Sequence, residues 1–180
     1  MHHRLAALST TLALVLLAAG AAPMHAQTTA AAPAPQSPLQ VLEAADAAVP
    51  LPNATVAYGA GPQQRGELRL PDGAGPFPVA VVIHGGCWVA GMGGTGMPGL
   101  SEMLRGRGIA TWDIDYRRVG HTGGGWPGSF EDVAAGVDQL AALARDRPLD
   151  LDRVVTVGHS AGALFALDAE AAHDLTLRNL

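Results

Sequence analysis

A serine enclosed by glycines follows a run of β-branched residues late in the chain. The stretch reads VVTVGHSAG and ends at Gly162. A buried strand that runs straight into a Gly-x-Ser-x-Gly turn exposes the serine hydroxyl at the start of a helix, where it can attack a carbonyl carbon. Gly158 and Gly162 leave room for that turn, and the helix N-terminus favours negative charge beside the serine. The pattern predicts that Ser160 is a nucleophile; an ordinary strand-to-helix turn is the alternative.

A second glycine motif follows an earlier apolar run. The letters PVAVVI are typical of a strand buried on both faces, and they lead into HGGCW, which begins at His84. Glycines there allow main-chain N–H groups to point at the negative oxygen of a tetrahedral intermediate. We therefore predict an oxyanion hole formed by the N–H groups of Gly85, Gly86 and Ala161. His84 and Trp88 are expected in the wall of the site or in structural positions; a glycine-rich surface turn is the alternative.

One stretch matches the glycine pattern of dinucleotide-binding proteins. Residues 91–96 read GMGGTG, and Asp113 and Asp115 follow at a suitable distance. In dinucleotide-binding proteins the pattern follows a strand at once and opens a helix. Here the bulky Trp88 lies between the strand and the first glycine, and Pro98 stands where the helix should continue. The sequence therefore predicts no nucleotide cofactor.

Cysteine and histidine residues show no metal-binding pattern. The spacings of His84, Cys87 and His121 match no zinc site, and we predict no metal and no other cofactor. Cys87 is the only cysteine, so the chain cannot form an internal disulfide. His159, beside the predicted nucleophile, is interpreted as a filler of the motif whose side chain points away from that of Ser160.

Composition narrows the class of protein. The chain has 180 residues, of which 48% are hydrophobic and 15% are charged, as expected for one globular domain with a core. The net charge of −5 and the lack of a basic run argue against nucleic acid or an anionic membrane surface as a partner. All 11 basic residues are arginine. Chemistry that depends on lysine, such as a Schiff base or a Ser-Lys dyad, is therefore excluded.

The N-terminal region has the features of an export signal. A basic residue precedes an apolar run, and small residues follow as far as Ala26. We predict a secretory signal peptide over residues 1–26, cleaved after Ala26 or Ala21, and hence a secreted or periplasmic protein. The apolar run is short for a membrane span, and an uncleaved anchor or a core helix is the alternative. Residues 27–50 are rich in Ala and Pro and are interpreted as a linker.

After this linker, strand and helix patterns alternate along the chain. Apolar runs at 78–83, 109–117 and 153–157 predict buried strands, each followed by helical periodicity. Ser129, with Asp132 three residues later, predicts the N-cap of the clearest helix. Such alternation predicts an α/β fold, with a mostly parallel sheet and helices on both of its faces.

Four segments together resemble the α/β-hydrolase superfamily: VVIHGGCW, WDIDYRR, GGGWPGSFEDVAAGVDQL and DRVVTVGHSAG. Within it the chain is most similar to the HGGxW esterases, a group with carbohydrate-esterase, feruloyl-esterase and arylformamidase-like members. The resemblance covers about residues 56–167. It implies a Ser–His–Asp hydrolase that acts on small ester substrates, with structural roles for Asp115, Tyr116 and Arg117.

The sequence does not supply partners for the predicted nucleophile. In this superfamily an Asp or Glu, and then a His, follow the nucleophile on later strands. The helix that begins after Ser160 is expected to carry the remaining candidates away from its hydroxyl. Those candidates are Asp168, Glu170, His173 and Asp174.

We therefore interpret residues 51–180 as the N-terminal portion of an α/β-hydrolase domain. The RVVTV strand is expected at an exposed edge of the sheet, and the chain by itself is expected to be inactive. A fragment, a frameshifted tail and a genuine short protein all stay open, as does the oligomeric state. The alternative function is that of a non-catalytic, hydrolase-like remnant that binds ligand.

Overall fold

The computed structural model describes residues 46–92 and 96–173, of which 170–173 are described by their backbone alone. The predicted signal peptide and most of the predicted linker lie outside the described residues, so both stay predictions. The same holds for part of the glycine-rich stretch and for Asp174. Among the described residues, none of the helices has the length and the apolar character needed to cross a membrane.

Within the described residues, five strands form one mixed sheet. In chain order they are β1 (Ala54–Ala57), β2 (Arg65–Arg69), β3 (Phe77–Ile83), β4 (Ala110–Ile114) and β5 (Leu149–Gly158). Across the sheet the order is β1-β2-β4-β3-β5. β2 pairs antiparallel with β1 and β4, whereas β3 pairs parallel with β4 and β5. β2 alone therefore runs against the others, which confirms the mostly parallel sheet.

Helices of the described chain pack on both faces of this sheet, as predicted. They are α1 (Pro98–Arg105), α2 (Gly128–Leu143) and α3 (Ala161–His173). The hydrophobic core lies between the sheet and α2 and α3, where it includes Trp112 and Ile114 of β4. Successive side chains of a strand alternate between the two faces, so Asp113 points the other way, towards α1.

The predicted helix cap at Ser129 is wrong. α2 begins one residue earlier, at Gly128, and Pro127 occupies its N-cap without a side-chain hydrogen bond. The Ser129 hydroxyl instead donates to the Arg117 carbonyl and accepts a hydrogen bond from the Gly125 N–H at 3.0 Å. The Ser129 hydroxyl is diverted from the cap by tertiary contacts. The segment between β4 and α2 folds back over the start of the helix, and its backbone groups compete successfully for the hydroxyl.

β5 and α3 present apolar side chains to solvent. Within the described residues β5 pairs only with β3, so its other edge carries unpaired N–H and C=O groups. Val155 on β5 is 42% exposed, and Leu164 and Leu167 on α3 are 50% and 66% exposed. Leu164 and Leu167 lie on the side of the sheet that α3 covers. Val155 points to the opposite side, because its neighbours Val154 and Thr156 face α3. The predicted exposed edge at RVVTV is confirmed for the described chain.

A protein that consists of residues 27–180 is expected to self-associate as its concentration rises. Burial of apolar surface contributes about 25 cal/mol per Å², or about 1 kcal/mol or more for a half-exposed leucine. Replacing Leu164 and Leu167 together by glutamine should therefore raise the dissociation constant about tenfold or more, measured by sedimentation velocity over a concentration series. Leu51→Gln is the matched control, because Leu51 is 93% exposed but precedes β1. A protein that stays monomeric at every concentration would contradict this expectation.

Candidate active site

The Gly-x-Ser-x-Gly turn joins β5 to α3. Ser160 is exposed and has a φ of +53°, a left-handed conformation that is strained for a residue with a side chain. The glycines on either side are required by space. A Cβ on Gly158 would lie 2.2 Å from the Gly162 carbonyl oxygen, and a Cβ on Gly162 would lie 2.2 Å from the Ile83 carbonyl oxygen. The turn is therefore packed directly against the end of β3.

The segment that follows β3 has an unusual backbone. Three consecutive residues have positive φ angles, which are +114° at Gly86, +51° at Cys87 and +60° at Trp88. Such strain amounts to about 1–3 kcal/mol for each residue other than glycine. The Val89 N–H closes the turn by donating to the Gly86 carbonyl at 3.0 Å, and the Val119 N–H donates to the Trp88 carbonyl at 2.8 Å. The segment after β4 thus braces this loop, in which Trp88 is 41% exposed.

Ser160 and the glycine motif after β3 lie side by side. The His159 N–H donates to the Ile83 carbonyl at 3.2 Å and so joins the ends of the two strands. A Cβ on Gly85 would lie 3.0 Å from the Ser160 Cβ and 2.9 Å from the His159 carbonyl oxygen. Only a glycine allows the backbone to pass this close to the serine. The two motifs meet because β3 and β5 are parallel neighbours whose carboxyl ends share one edge.

The His84 side chain sets the direction of the Gly86 N–H, one of the predicted oxyanion donors. Its Nδ1 lies 2.6 Å from the Gly85 carbonyl oxygen, and because that oxygen can only accept, Nδ1 carries the proton of this bond. The Gly85 carbonyl and the Gly86 N–H belong to one trans peptide unit, in which they point in opposite directions. The Gly86 N–H is therefore turned away from the buried ring. With 2% exposure, His84 occupies a structural position beneath the loop.

The third predicted donor, the N–H of Ala161, opens α3. The Gly162 and Ala163 N–H groups donate to the carbonyls of His159 and Ser160, at 2.8 and 3.0 Å, and so complete the turn. The first N–H groups of a helix have no acceptor within the helix itself. The Ala161 N–H therefore stands next to Ser160 at the positive end of the helix dipole.

A buried polar group holds the His84 ring in place. Nε2 lies 3.0 Å from Asp115 Oδ1, which also accepts hydrogen bonds from the Tyr116 N–H at 2.9 Å and from Arg118 at 3.3 Å. The Tyr116 ring stacks on His84 with centroids 4.5 Å apart, and its hydroxyl donates to the His84 carbonyl at 2.9 Å. Burial raises the pKa of Tyr116 to about 12, so the hydroxyl keeps the proton for this bond. These contacts explain the structural roles that the family resemblance implies for Asp115 and Tyr116.

A row of aromatic rings leads from His84 to the surface. Tyr116 contacts Phe165 of α3 edge to face at 4.9 Å, and Phe165 contacts Phe130 of α2 at 4.7 Å. Phe130 in turn meets Trp126 at 5.1 Å, and Trp126 is 81% exposed. Aromatic pairs of this kind contribute about 0.5–1.5 kcal/mol each beyond their buried area. This aromatic row ties the loop after β3 to both helices on the core face.

The described residues bring no general base to the Ser160 hydroxyl. His84 bonds to Asp115 and Gly85, while His121 accepts a hydrogen bond from the Arg118 N–H at 3.1 Å. The His159 ring lies beside Gly85, where its Nδ1 would be 3.2 Å from an added Cβ.

Asp168 is exposed on α3, about 12 Å along the helix axis from the serine. The helix thus carries this carboxylate away, as the sequence indicates.

The His and Cys residues around the site do not form a metal centre. Among the described side chains, no group of three or more His, Cys, Asp or Glu could hold a metal ion. Cys87 is exposed and reduced, whereas His84 is buried against Asp115. The described groups at this turn are the Ser160 hydroxyl, the His159 ring beside Gly85 and the main-chain N–H groups around them.

Comparison with known proteins finds esterases among the proteins that are similar to this chain. A family model named BD-FAE matches residues 67–176. Over 113 residues the chain is 32% identical to the probable isoprenylcysteine alpha-carbonyl methylesterase ICMEL1 of Arabidopsis thaliana, a match that covers 62% of this chain and 23% of that protein.

Solved structures of esterases share the fold. A bacterial heroin esterase superposes with a TM-score of 0.61 and 26% identity, over 75% of this chain and 44% of that chain. Esterase B of Lactobacillus rhamnosis gives a TM-score of 0.54 and 25% identity, over 78% of this chain and 49% of that chain. The chain therefore spans less than half the length of these esterases and about a quarter of the Arabidopsis protein.

Proposed function

Because the chain belongs to the BD-FAE family, within the α/β-hydrolase superfamily, we propose that it carries the nucleophile and the oxyanion hole of a carboxylic-ester hydrolase. The nucleophile is the Ser160 hydroxyl, and the oxyanion donors are the N–H groups of Gly85, Gly86 and Ala161. The observation that carries the proposal is the approach of Gly85 to Ser160, at the distance that only a glycine allows. The Ala161 N–H, which has no acceptor within its helix, stands beside the exposed Ser160 hydroxyl. Acyl transfer requires such a donor beside its nucleophile.

In the proposed reaction the Ser160 oxygen attacks the ester carbonyl and loses its proton to a base. The carbonyl oxygen becomes negative and accepts hydrogen bonds from the three N–H groups. Collapse of this intermediate releases the alcohol, which takes up the proton, and leaves an acyl-serine that water then hydrolyses. The proposal assigns the base to a histidine outside the described side chains, since none of those bonds to the serine.

Small carboxylic esters with short acyl groups are the proposed substrates. Three of the similar proteins are, by name, a probable methylesterase and two esterases, and these names support an ester as the substrate. The exposed position of Ser160 favours a substrate that reaches it without the opening of a deep pocket. The partner of this site is therefore a small molecule.

Covalent labelling with a fluorophosphonate tests the proposal. The reagent is applied to this chain and to any longer natural protein that continues it past Leu180, alongside hydrolysis of p-nitrophenyl acetate and butyrate. We expect the label on Ser160 in whichever protein hydrolyses the esters, within the tryptic peptide that runs from Val154 to Arg178. Hydrolysis accompanied by a label on another residue would reject the nucleophile assignment.

The second candidate function is binding of an ester without turnover. It is favoured by the lack, among the described side chains, of a base that reaches Ser160. A serine hydroxyl without a base is a poor nucleophile near neutral pH. Saturable binding of a short-chain ester, with no release of alcohol and no label on Ser160, would support this function over hydrolysis.

A further inference from the structure

Two acceptor oxygens face the ring of a buried histidine. His84 is 2% exposed, and its Nδ1 lies 2.6 Å from the Gly85 carbonyl oxygen, which can only accept a hydrogen bond. Its Nε2 lies 3.0 Å from Asp115 Oδ1. A neutral imidazole carries one proton and can donate to only one of these two oxygens. A second proton is therefore needed, and either the His84 ring or the Asp115 carboxyl carries it.

The surroundings of Asp115 favour its ionised form. Its Oδ1 also accepts hydrogen bonds from the Tyr116 N–H at 2.9 Å and from the Arg118 guanidinium at 3.3 Å. Both bonds, and the positive charge of Arg118, stabilise a carboxylate relative to a carboxylic acid. A proton on this oxygen would also occupy a site that these donors use. The proton between the two side chains therefore belongs to the ring, and His84 is an imidazolium.

The buried charges around this ring balance only when His84 is positive. Asp113 and Asp115 are each 3% exposed, and Arg118 is 4% exposed. Burial raises the pKa of Asp113 to about 6, and the charge of His84 opposes that rise, so Asp113 is ionised at neutral pH. With a protonated ring, two carboxylates meet two cations. With a neutral ring, one buried carboxylate would lack a counter-charge, which is strongly unfavourable.

The other titratable groups near the ring are consistent with this charge. The Tyr116 ring stacks on His84 with an angle of 13° between the planes, and burial raises its pKa to about 12, so it stays neutral. A planar cation is attracted to the face of such a ring. His159, on the far side of Gly85, is exposed to solvent. Glu67, which faces Asp113 from β2, forms an ion pair with Arg69 at 3.4 Å.

One peptide unit connects the charged ring to a proposed oxyanion donor. The imidazolium donates to the Gly85 carbonyl, and the Gly86 N–H belongs to the same peptide. Hydrogen bonds from a charged donor are roughly twice as strong as those from a neutral one, and linked hydrogen bonds polarise one another. On the basis of the proposed function, we propose that His84 is a positioning residue held as an imidazolium, which strengthens the Gly86 N–H as a donor to the oxyanion.

Nuclear magnetic resonance of the uniformly ¹⁵N-labelled chain tests the protonation of the ring directly. Among the seven histidines, His84 is identified by the contact of its ring protons with those of Tyr116. We expect one proton on each ring nitrogen of His84 at about pH 7, where a solvated histidine is mostly neutral. A His84 ring with a single proton at that pH would overturn the proposal.

Asp115→Asn tests whether the carboxylate holds this charge. Without it the imidazolium is unpaired, so we expect the His84 ring to carry one proton at about pH 7. The ¹⁵N resonance of Gly86 should shift at the same time, because the donor to its peptide carbonyl has become neutral or is lost. Asp146→Asn, at an exposed carboxylate after α2, is the matched control and should keep both ring protons. Retention of both protons in Asp115→Asn, or a Gly86 resonance that ignores the change of charge, would count against the proposal.

His84→Asn measures the effect on turnover in any active protein that carries this chain. The shorter amide can still donate to the Gly85 carbonyl, but without a charge. We expect kcat for p-nitrophenyl butyrate to fall about tenfold with KM nearly unchanged, less than the about 10²–10³-fold that follows removal of a whole oxyanion donor. His121→Asn is the matched control, because the new amide oxygen can accept the Arg118 N–H as the ring does. An unchanged kcat in a folded His84→Asn, or a loss that falls on KM, would overturn the proposed role.

The ring protons can be observed without turnover and without the Ser160 hydroxyl. A single proton on the His84 ring would therefore reject the charged role and leave the ester-hydrolase proposal standing. A fluorophosphonate label on a residue other than Ser160 would do the reverse, because the protonation of His84 depends only on the groups around its ring.

Discussion

Replacement of Ser160 by alanine is expected to lower kcat/KM for a short-chain ester by at least about 10³-fold in any active protein that carries this chain. Without the hydroxyl no acyl-serine forms, and water must attack the ester directly. Oxyanion donors and substrate binding by themselves still leave about 10³–10⁴-fold catalysis over water, so a small residual rate is expected. Steady-state hydrolysis of p-nitrophenyl butyrate measures kcat and KM separately. Most of the loss should fall on kcat.

Asp168→Asn is the matched control for this result. Asp168 is an exposed carboxylate on the helix that Ser160 precedes, and it lies too far along that helix to reach the hydroxyl. The variant should keep its turnover within about twofold, as expected for a surface substitution. Loss of turnover in Asp168→Asn would place this carboxylate in the reaction, and retention of turnover in Ser160→Ala would remove the serine from it.

Gly162→Ala is expected to prevent folding. The new Cβ would lie 2.2 Å from the Ile83 carbonyl oxygen and 2.5 Å from the His84 carbonyl oxygen, and both are backbone atoms that cannot rotate away. Relief of these contacts requires α3 to move off the end of β3. We expect a loss of about 5 kcal/mol or more, which is comparable with the whole stability of a small domain. Urea unfolding followed by far-ultraviolet circular dichroism measures the loss.

Gly106→Ala separates this steric effect from the general effect of adding a methyl group. Gly106 ends α1 with a φ of −64°, and a Cβ there would meet its nearest atom, the Glu102 carbonyl oxygen, at 3.5 Å. Because that distance is an ordinary contact, the free energy of unfolding should change by less than about 1 kcal/mol. Cooperative unfolding of Gly162→Ala at nearly the parent midpoint would show that the turn is not packed against β3 in this way.

The strands of the sheet could be predicted because their apolar runs are short and rich in β-branched residues. The strand predicted at 78–83 is observed at Phe77–Ile83, and the one predicted at 153–157 lies within Leu149–Gly158. β4 ends earlier than predicted, at Ile114. The next residue, Asp115, still donates its N–H to the Arg65 carbonyl of β2 at 2.9 Å, while its carboxylate bonds to His84.

Side chains whose partners are distant along the chain could not be predicted. The glycines of the candidate site were found because a tight turn restricts the residue type whatever surrounds it. The position of His84 beneath the loop depends on β3 and β4 lying side by side, which no local pattern encodes. Asp113 resembles any other polar residue of a strand until α1 covers it with the Ser101 hydroxyl. The hydroxyl of Ser129 likewise has a choice of acceptors that only the tertiary fold decides.

The aromatic row gives the folded chain an optical property. Neighbouring rings along the row have centroids 4.5 to 5.1 Å apart, in fixed mutual orientations, so their electronic transitions couple and generate circular dichroism in the near ultraviolet. One end of the row is the His84 ring beneath the loop, and the other is the indole of Trp126, which is 81% exposed. Imidazole does not absorb in this region, but His84 stacks on Tyr116, so a movement of His84 that reorients the Tyr116 ring against Phe165 changes the spectrum. The loop that carries the proposed oxyanion donors can therefore be followed in solution without a label or a ligand.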